Sequence, residues 1–439
     1  MSELVNILVY VICTVIVIVS LKKIINGNYC IIDFCLVAFY GMQIIPLFVE
    51  AFCGVDDSLG KETRFFLANS DSEVSIIYGI MVICIMSALA MLSIIHSKKY
   101  CLKYDGVINF FNRLKRSKKA QLILSIMMVC PIFLVILAPN PILYLTYKSI
   151  WRINQIGTVS ERMYHNTVIY YGNNLALIGI MIKYFTRTNK RIWKNIDVVI
   201  AIVLMTWVDG KRALFIMAIL GIIIIDIINK SYQNNIYAFL KKIVVLFSII
   251  IIFFFIYGKV VNKLQSNSFI TNYTLYLGRM SSVKVAIYDM LHKKEILDYP
   301  GQTILFDLFF YIPRSIWKTK PSMFTQYFTA YAINSNTFAS WNLHVNIWTE
   351  MIANFGLVLG CITGVICTHL IAKASSKSNN LVCQMTGMIF LIFYYMFGFE
   401  IILMILFIAW VLGLILSRFK IKDNTIKFVI FRRQNIRKS

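Results

Sequence analysis

The sequence is short of charge and of the common catalytic signatures. Only 15% of its residues are Asp, Glu, Lys or Arg, while 59% are hydrophobic. It holds no P-loop, no GxSxG elbow, no HExxH and no DxD. Those absences remove a nucleotide phosphate cradle, a hydrolase nucleophile turn, a zincin centre and a metal-bound nucleotide-sugar site. The ten cysteines (13, 30, 35, 53, 84, 101, 130, 361, 367, 383) form no CxxC pair. Most lie inside apolar runs and read as small buried hydrophobes, not as disulfides or zinc ligands. No internal repeat and no low-complexity linker divides the chain. The first apolar run lacks a basic leading segment and a small-residue cleavage site, so it reads as a retained helix.

What the chain has is apolar length, with a mean hydropathy of +0.72. A soluble protein of 439 residues could not hide that much apolar surface, which leaves a bilayer as the solvent. A hydrocarbon core of ~30 Å takes about 20 helical residues to cross. By that ruler, spans fall near 4–21, 29–51, 74–96, 121–138, 166–185, 196–208, 213–229, 243–258, 347–372, 381–398 and 400–417. The run at 196–208 is short, and tilting, re-entry or fusion with its neighbour stay open. The expected fold class is an all-α polytopic integral membrane protein of about 11 transmembrane helices. One membrane domain covers 1–439. Eight helices lie in 1–258, one large extracytoplasmic loop with short helices in 259–346, three helices in 347–417, and a basic tail in 418–439.

The formal charge of +24 would suggest a nucleic-acid partner in a soluble protein. Here it has another cause. Alternate short loops (22–28, 97–120, 186–195, 230–242, 373–380) and the tail hold 27 Lys and Arg, against 7 in the loops opposite (52–73, 139–165, 209–212). The positive-inside rule therefore places the C-terminus in the cytoplasm, and the N-terminus and the long loop outside. No nucleic acid is expected as a partner.

Candidate chemistry gathers in or beside that long loop. Asn342, Asn346, Glu350 and Asn354 recur every four residues, which on a helix makes one polar stripe. The stripe runs into the expected ninth span and stops before Gly356, Gly360 and Gly364, a small-residue series that admits a close helix neighbour. A carboxylate at that depth is costly and favours a functional cavity for Glu350, with simple interfacial pairing as the competing explanation. His344 is a candidate general base because its ordinary pKa is near neutral, and a solvated surface histidine is equally compatible.

Asp209-Gly210-Lys211-Arg212 forms an external turn where cations are otherwise scarce. Lys211 and Arg212 there suit an anionic diphosphate, Arg212 with its planar fork, while snorkelling to headgroups is the alternative. Arg279 follows Gly278, and Arg314 follows Pro313, each after an apolar run. Both are candidates for the same diphosphate, or interfacial anchors. Lys318 and Lys320, beside Trp317 and Pro321, read as anchors. The turn Tyr299-Pro300-Gly301 and a helix over 273–292 are also expected, with Gln302–Ile312 lying along the membrane surface.

In three stretches the chain resembles the polytopic polymerases of O-antigen and related oligosaccharide repeat units, which are similar in plan to the O-antigen ligases. These are Trp207-Val208-Asp209-Gly210-Lys211-Arg212-Ala213-Leu214, Pro313-Arg314-Ser315-Ile316-Trp317-Lys318-Thr319-Lys320-Pro321, and Glu350 through Gly360. The resemblance implies a metal-independent glycosyltransferase of the bacterial inner membrane, without a cofactor, using undecaprenyl-diphosphate-linked oligosaccharide. It implies that Arg212, Arg279 and Arg314 hold the diphosphate. His344 is the nearest counterpart of a ligase histidine, though its spacing to Gly356 departs from the ligase pattern. A chain-length regulator and a flippase are the implied protein partners. A ligase is the nearest alternative function, and a lipid-linked oligosaccharide flippase or transporter the alternative of another class.

Overall fold

The structure is a computed structural model. It describes residues 2–55, 59–99, 112, 114–145, 153, 156–187, 195–210, 212–229, 237–238, 241–246, 248–249, 252, 279–292, 296–339, 342–343, 345–378, 381–397, 401–416, 419–422 and 425–428. In chain order the helices are α1 (Ser2–Ile25), α2 (Ile31–Phe39), α3 (Ile45–Cys53), α4 (Arg64–Ser70), α5 (Ser72–Lys99) and α6 (Lys118–Ile136). They continue as α7 (Val159–Tyr164), α8 (Tyr170–Thr186), α9 (Ile196–Asp209), α10 (Arg212–Ile228), α11 (Arg279–His292) and α12 (Gln302–Leu308). The last are α13 (Phe324–Ala332), α14 (Ile347–Phe355), α15 (Leu357–Lys377), α16 (Leu381–Phe397) and α17 (Ile401–Leu416). A short antiparallel hairpin of β1 (Phe419–Lys422) and β2 (Thr425–Phe428) follows.

Among the described residues, 5 helices are long and apolar enough to cross a membrane: Leu4–Ile25, Ile31–Phe52, Ser72–Ser97, Lys118–Ile136 and Leu357–Lys377. Leu214–Ile227, Cys383–Phe397 and Leu406–Ile415 are shorter apolar helices. The long ones turn apolar side chains outward. On α1, Leu4, Ile7, Val11, Val15 and Ile18 are all more than half exposed. Water would not tolerate such a stripe on every long helix, whereas lipid would.

The chain divides into two compact units. Unit 1 joins Met1–Leu102 to Ser266–Ser439. Within it α1 packs on α5 and α2, and α16 packs on α2 and α17. The α2–α3 segment is one long helix carrying a π turn at Tyr40–Ile44, where the Ile45 N–H reaches Tyr40 O, five residues back. Pro46 follows immediately and cannot donate, so the widened turn takes up the break in the backbone ladder. The innermost element is α11, surrounded by α3, α4, α5, α14 and the π turn. Every residue from Arg279 to Tyr288 on it is buried.

Unit 2 is Lys103–Gln265, with α8 packed against α6, α9 and α10. A capping box of Thr158 and Glu161 starts α7. A second π turn, His165–Ile169, leads into α8. Ala138, Leu143, Tyr144, Ile153, Ile169 and Val208 form an apolar cluster. There Trp207 Nε1 donates to Tyr144 O at 3.1 Å, and Tyr144 meets His165 Nδ1 at 3.2 Å.

The expected ninth span is corrected. Residues 347–372 are not one helix, because the backbone turns at Gly356 with φ 77° and separates α14 from α15. A side chain disfavours that conformation, so glycine permits the break. The two helices then fold on each other. A Cβ at Gly360 would lie 2.6 Å from Met351 O, and one at Gly364 would lie 2.6 Å from the Trp348 ring. The small-residue face therefore receives the preceding short helix, and the candidate span begins at Leu357.

Candidate functional site

The polar stripe becomes the centre of unit 1 with one member fewer. Asn342 lies before the helix and is exposed. Asn346 is the N-cap of α14, its Oδ1 accepting from the Thr349 N–H at 3.0 Å. That cap satisfies a first-turn N–H and fixes where the helix starts. Glu350 and Asn354 then sit one turn apart on the same face, and both are buried. His344 lies outside the described residues.

The face of α14 meets α12, whose Thr303 and Asp307 are also one turn apart. Thr303 Oγ1 donates to Glu350 Oε1 at 2.8 Å and accepts from Asn354 Nδ2 at 2.8 Å. Asn354 Oδ1 also accepts from the Thr303 N–H at 3.3 Å. On another side, Tyr394 of α16 donates to Glu350 Oε2 at 3.4 Å. Asp307 brings a second carboxyl beside that of Glu350. Part of the Asp307 side chain reaches the surface, but its Oδ2 is buried and has no partner among the described residues.

Burial pushes the Glu350 carboxyl up to about 7, against the pull of its hydrogen bonds from Thr303, Asp307 and Tyr394. Asp307 is held well above the usual carboxylate range, first by burial and then by the adjacent Glu350 charge. Each carboxyl therefore disfavours the charge of the other.

Arg279 opens α11 and is 1% exposed. Its Nε donates to Met396 O, and its guanidinium lies 5.4 Å from the centre of the Phe397 ring. Ser282, one turn on, bonds back to Arg279 O at 2.7 Å and meets Thr349 Oγ1 at 2.9 Å. Thr349 also bonds Asn346 Oδ1, so α11 and the start of α14 are tied by a chain of hydroxyls. Lys284 on the same helix pairs with Glu50 at 2.9 and 3.0 Å and lies 6.0 Å from the centre of the Tyr78 ring, whose hydroxyl donates to Gln43.

Arg314 lies elsewhere in unit 1, exposed, on the loop after α12. It donates to Lys320 O at 2.8 Å, Pro321 O at 3.2 Å and Ser322 Oγ at 3.2 Å. Lys320 in return is buried and donates to Phe310 O and Ile312 O at 2.6 and 2.8 Å. The two cations clasp one loop, while Lys318 is exposed. Next to it, α12 buries Gln302, Thr303 and Phe306 and exposes Leu305 and Leu308. The expected turn at Tyr299–Gly301 is present, closed by the Gln302 N–H to Tyr299 O. Arg212 begins α10 in unit 2, its side chain outside the described residues, as is Lys211.

Sequence reasoning missed Asp307, Thr303 and Tyr394. A signal for the first existed: a single acid inside the apolar run Gln302–Ile312. A lone carboxylate in such a run needs a partner, and here the partner is Glu350. It also passed over His96 and His369, whose ring nitrogens meet at 3.0 Å between α5 and α15. Among the described residues no group of three or more His, Cys, Asp or Glu could hold a metal ion. Comparison with protein-family models, with curated proteins and with solved structures gave no match.

Proposed function

We propose that the chain is an integral membrane glycosyltransferase that joins polyprenyl-diphosphate-linked oligosaccharide repeat units into a surface polysaccharide. In this reading about 11 helices cross the inner membrane. Residues 259–346 and the N-terminus face the periplasm, and the C-terminus faces the cytoplasm. The observation that carries it is the burial of α11, a helix from the long hydrophilic interval, which brings Arg279 into a core it shares with Glu350. Two carboxyls of like charge are costly to set together among apolar helices, which a place for binding or proton transfer explains and a structural ion pair does not.

The parts suit the reaction. A sugar hydroxyl attacks the anomeric carbon of the donor, and the bond from that carbon to the diphosphate breaks. The departing charge needs a fixed cation, and a guanidinium shielded from water stabilises it more than a solvated one. Arg279 of unit 1 supplies that charge. The hydroxyl proton needs a base whose pKa lies near neutral, and the Glu350–Asp307 pair has that property. The leaving group is already activated, so the reaction needs no nucleotide.

Deleting the protein and running the cell's surface polysaccharide on a gel tests this. Lipid cores that each carry a single repeat unit are the expected result. Bare cores with polymer left on its lipid carrier would mean a ligase, and loss of repeat units from the outer leaflet would mean a flippase.

A further inference from the structure

The two turns of α12 have reversed polarity. Gln302, Thr303 and Phe306 face inward, where Thr303 bonds Glu350 and Asn354 of α14. On the opposite side Leu305 and Leu308, with Phe309 at the C-cap, share one face and are exposed. The apolar surface continues through Tyr311 and Ile316, which are 66% and 77% exposed. A helix resting on a protein in water buries its apolar face and shows its polar one. This one does the reverse, as a surface set against hydrocarbon does.

Its depth follows from its neighbours in unit 1. Because α14 doubles back along α15, with Met351 against Gly360 and Trp348 against Gly364, Glu350 and Asn354 lie level with the first two turns of that span. Thr303 holds α12 at the same level. There Val358 and Leu359 of α15 are exposed as well. With 7 residues, α12 is about 10 Å long against a hydrocarbon core of ~30 Å, so it can lie along a leaflet but not cross one.

Charge marks the edge of this face. Lys318 is exposed, and so is Arg314, which gives three of its five N–H groups to Lys320 O, Pro321 O and Ser322 Oγ. Among the described residues neither cation has an acidic partner. Lys320, by contrast, turns inward to the Phe310 and Ile312 carbonyls and takes no part. Outward cations beside an exposed apolar face complement the phosphates of a lipid surface.

We propose that residues 305–318 form a foot set into the leaflet at which α15 begins. Leu305, Leu308, Phe309 and Ile316 lie among the acyl chains, and Arg314 and Lys318 bind the phosphates of anionic phospholipids. The foot goes beyond the polymerase reading and stands whether or not the protein joins sugars.

The test places a nitroxide amino acid, incorporated without use of cysteine, at Leu308 or Ile316 of the full-length protein. The protein sits in nanodiscs of phosphatidylethanolamine and phosphatidylglycerol that hold no polyprenyl lipid. Collisions with oxygen, which concentrates in hydrocarbon, are compared with collisions with a water-soluble nickel chelate. Oxygen should dominate at both positions, as at a reference label on Leu359 of α15. Dominant nickel collisions overturn the proposal, and so does protection from both reagents, which would mean that protein covers the face. The charge arm reads the Ile316 label in phosphatidylcholine alone, and in Lys318→Gln with phosphatidylglycerol present. Lys318→Gln is the variant of choice because it leaves the Arg314 hydrogen bonds in place. In both cases the ratio of oxygen to nickel collisions should drop severalfold. An unchanged ratio overturns the binding of anionic headgroups. Insertion that begins only after a polyprenyl diphosphate is added would make the substrate lipid the occupant and overturn the proposal as well.

Discussion

In unit 2, buried Lys242, Asp226 and Tyr184 satisfy one another. The lysine donates to Asp226 Oδ2 at 2.5 Å and to the Tyr184 hydroxyl at 2.7 Å, and that hydroxyl donates to Asp226 Oδ1 at 2.9 Å. In unit 1, Glu350 and Asp307 set two carboxyls of like charge side by side, and burial holds both above the usual carboxylate range. The first arrangement is closed and neutral, so it fixes helices against each other. The second is left under electrostatic tension by its own composition, and pairs of that kind concentrate where something is bound or moved. Burial of charge alone therefore does not mark a site. Burial of like charges side by side is the better marker.

The largest effect expected from this contrast is on stability, in unit 2. Lys242→Met leaves Asp226 buried without its cation, and about 3–5 kcal/mol should be lost. Thermal melting in detergent should show it, with Lys242→Met combined with Asp226→Leu melting closer to wild type. In unit 1, Glu350→Gln should do the reverse. It removes a like charge, so folding should hold while polymer formation falls by about 10²-fold or more. If Glu350→Gln unfolds the protein as Lys242→Met does, the two regions are alike and the contrast fails.

A smaller effect concerns pH. Glu350 titrates at about 7 in the folded protein against an ordinary 4.5. The folded state binds this proton more tightly than the unfolded one. Its stabilisation is full below pH 4.5 and is lost as pH rises through about 7. Catalysis should run the other way, rising across the same window as the pair gains its charge. Melting and rate curves against pH, repeated with Glu350→Gln, should show both trends flattened by the substitution. Smaller again is Gly360→Val, whose side chain would press on Met351 O at the α14–α15 fold. A loss of about 1–3 kcal/mol is expected, seen as a lower melting temperature. The smallest effect belongs to the exposed Arg314. Arg314→Ala removes three hydrogen bonds from the surface loop. It should lower the melting temperature by a few degrees at most, and a larger loss of polymer than of stability would point to the diphosphate.

The sequence made the long helices legible because apolar length is a strong signal, and the five candidate spans fall where it lies, whereas α4, α7 and α13 carried no such signal. It also marked the Asn346–Glu350–Asn354 stripe, since three polar residues at a period of four stand out in an apolar setting. The break at Gly356 was hidden by the same regularity. A glycine within an apolar run looks like a packing position until its φ is known. Asn342 continued the period on paper, but the N-cap at Asn346 ends the helix before reaching it. The Asp307 contact lay beyond reach for another reason: on the two helices that meet there, Thr303 and Glu350 are 47 residues apart in sequence, and no local pattern specifies which helices meet. The His96–His369 and Lys284–Glu50 pairs were invisible on the same ground.

The most direct measurement is polymer synthesis by purified protein, in nanodiscs with lipid-linked repeat units, comparing wild type with Glu350→Gln of equal melting temperature. The account predicts a ladder of products from wild type and isolated units from the variant. A full ladder from both would show that the buried carboxyl pair has no part in the reaction.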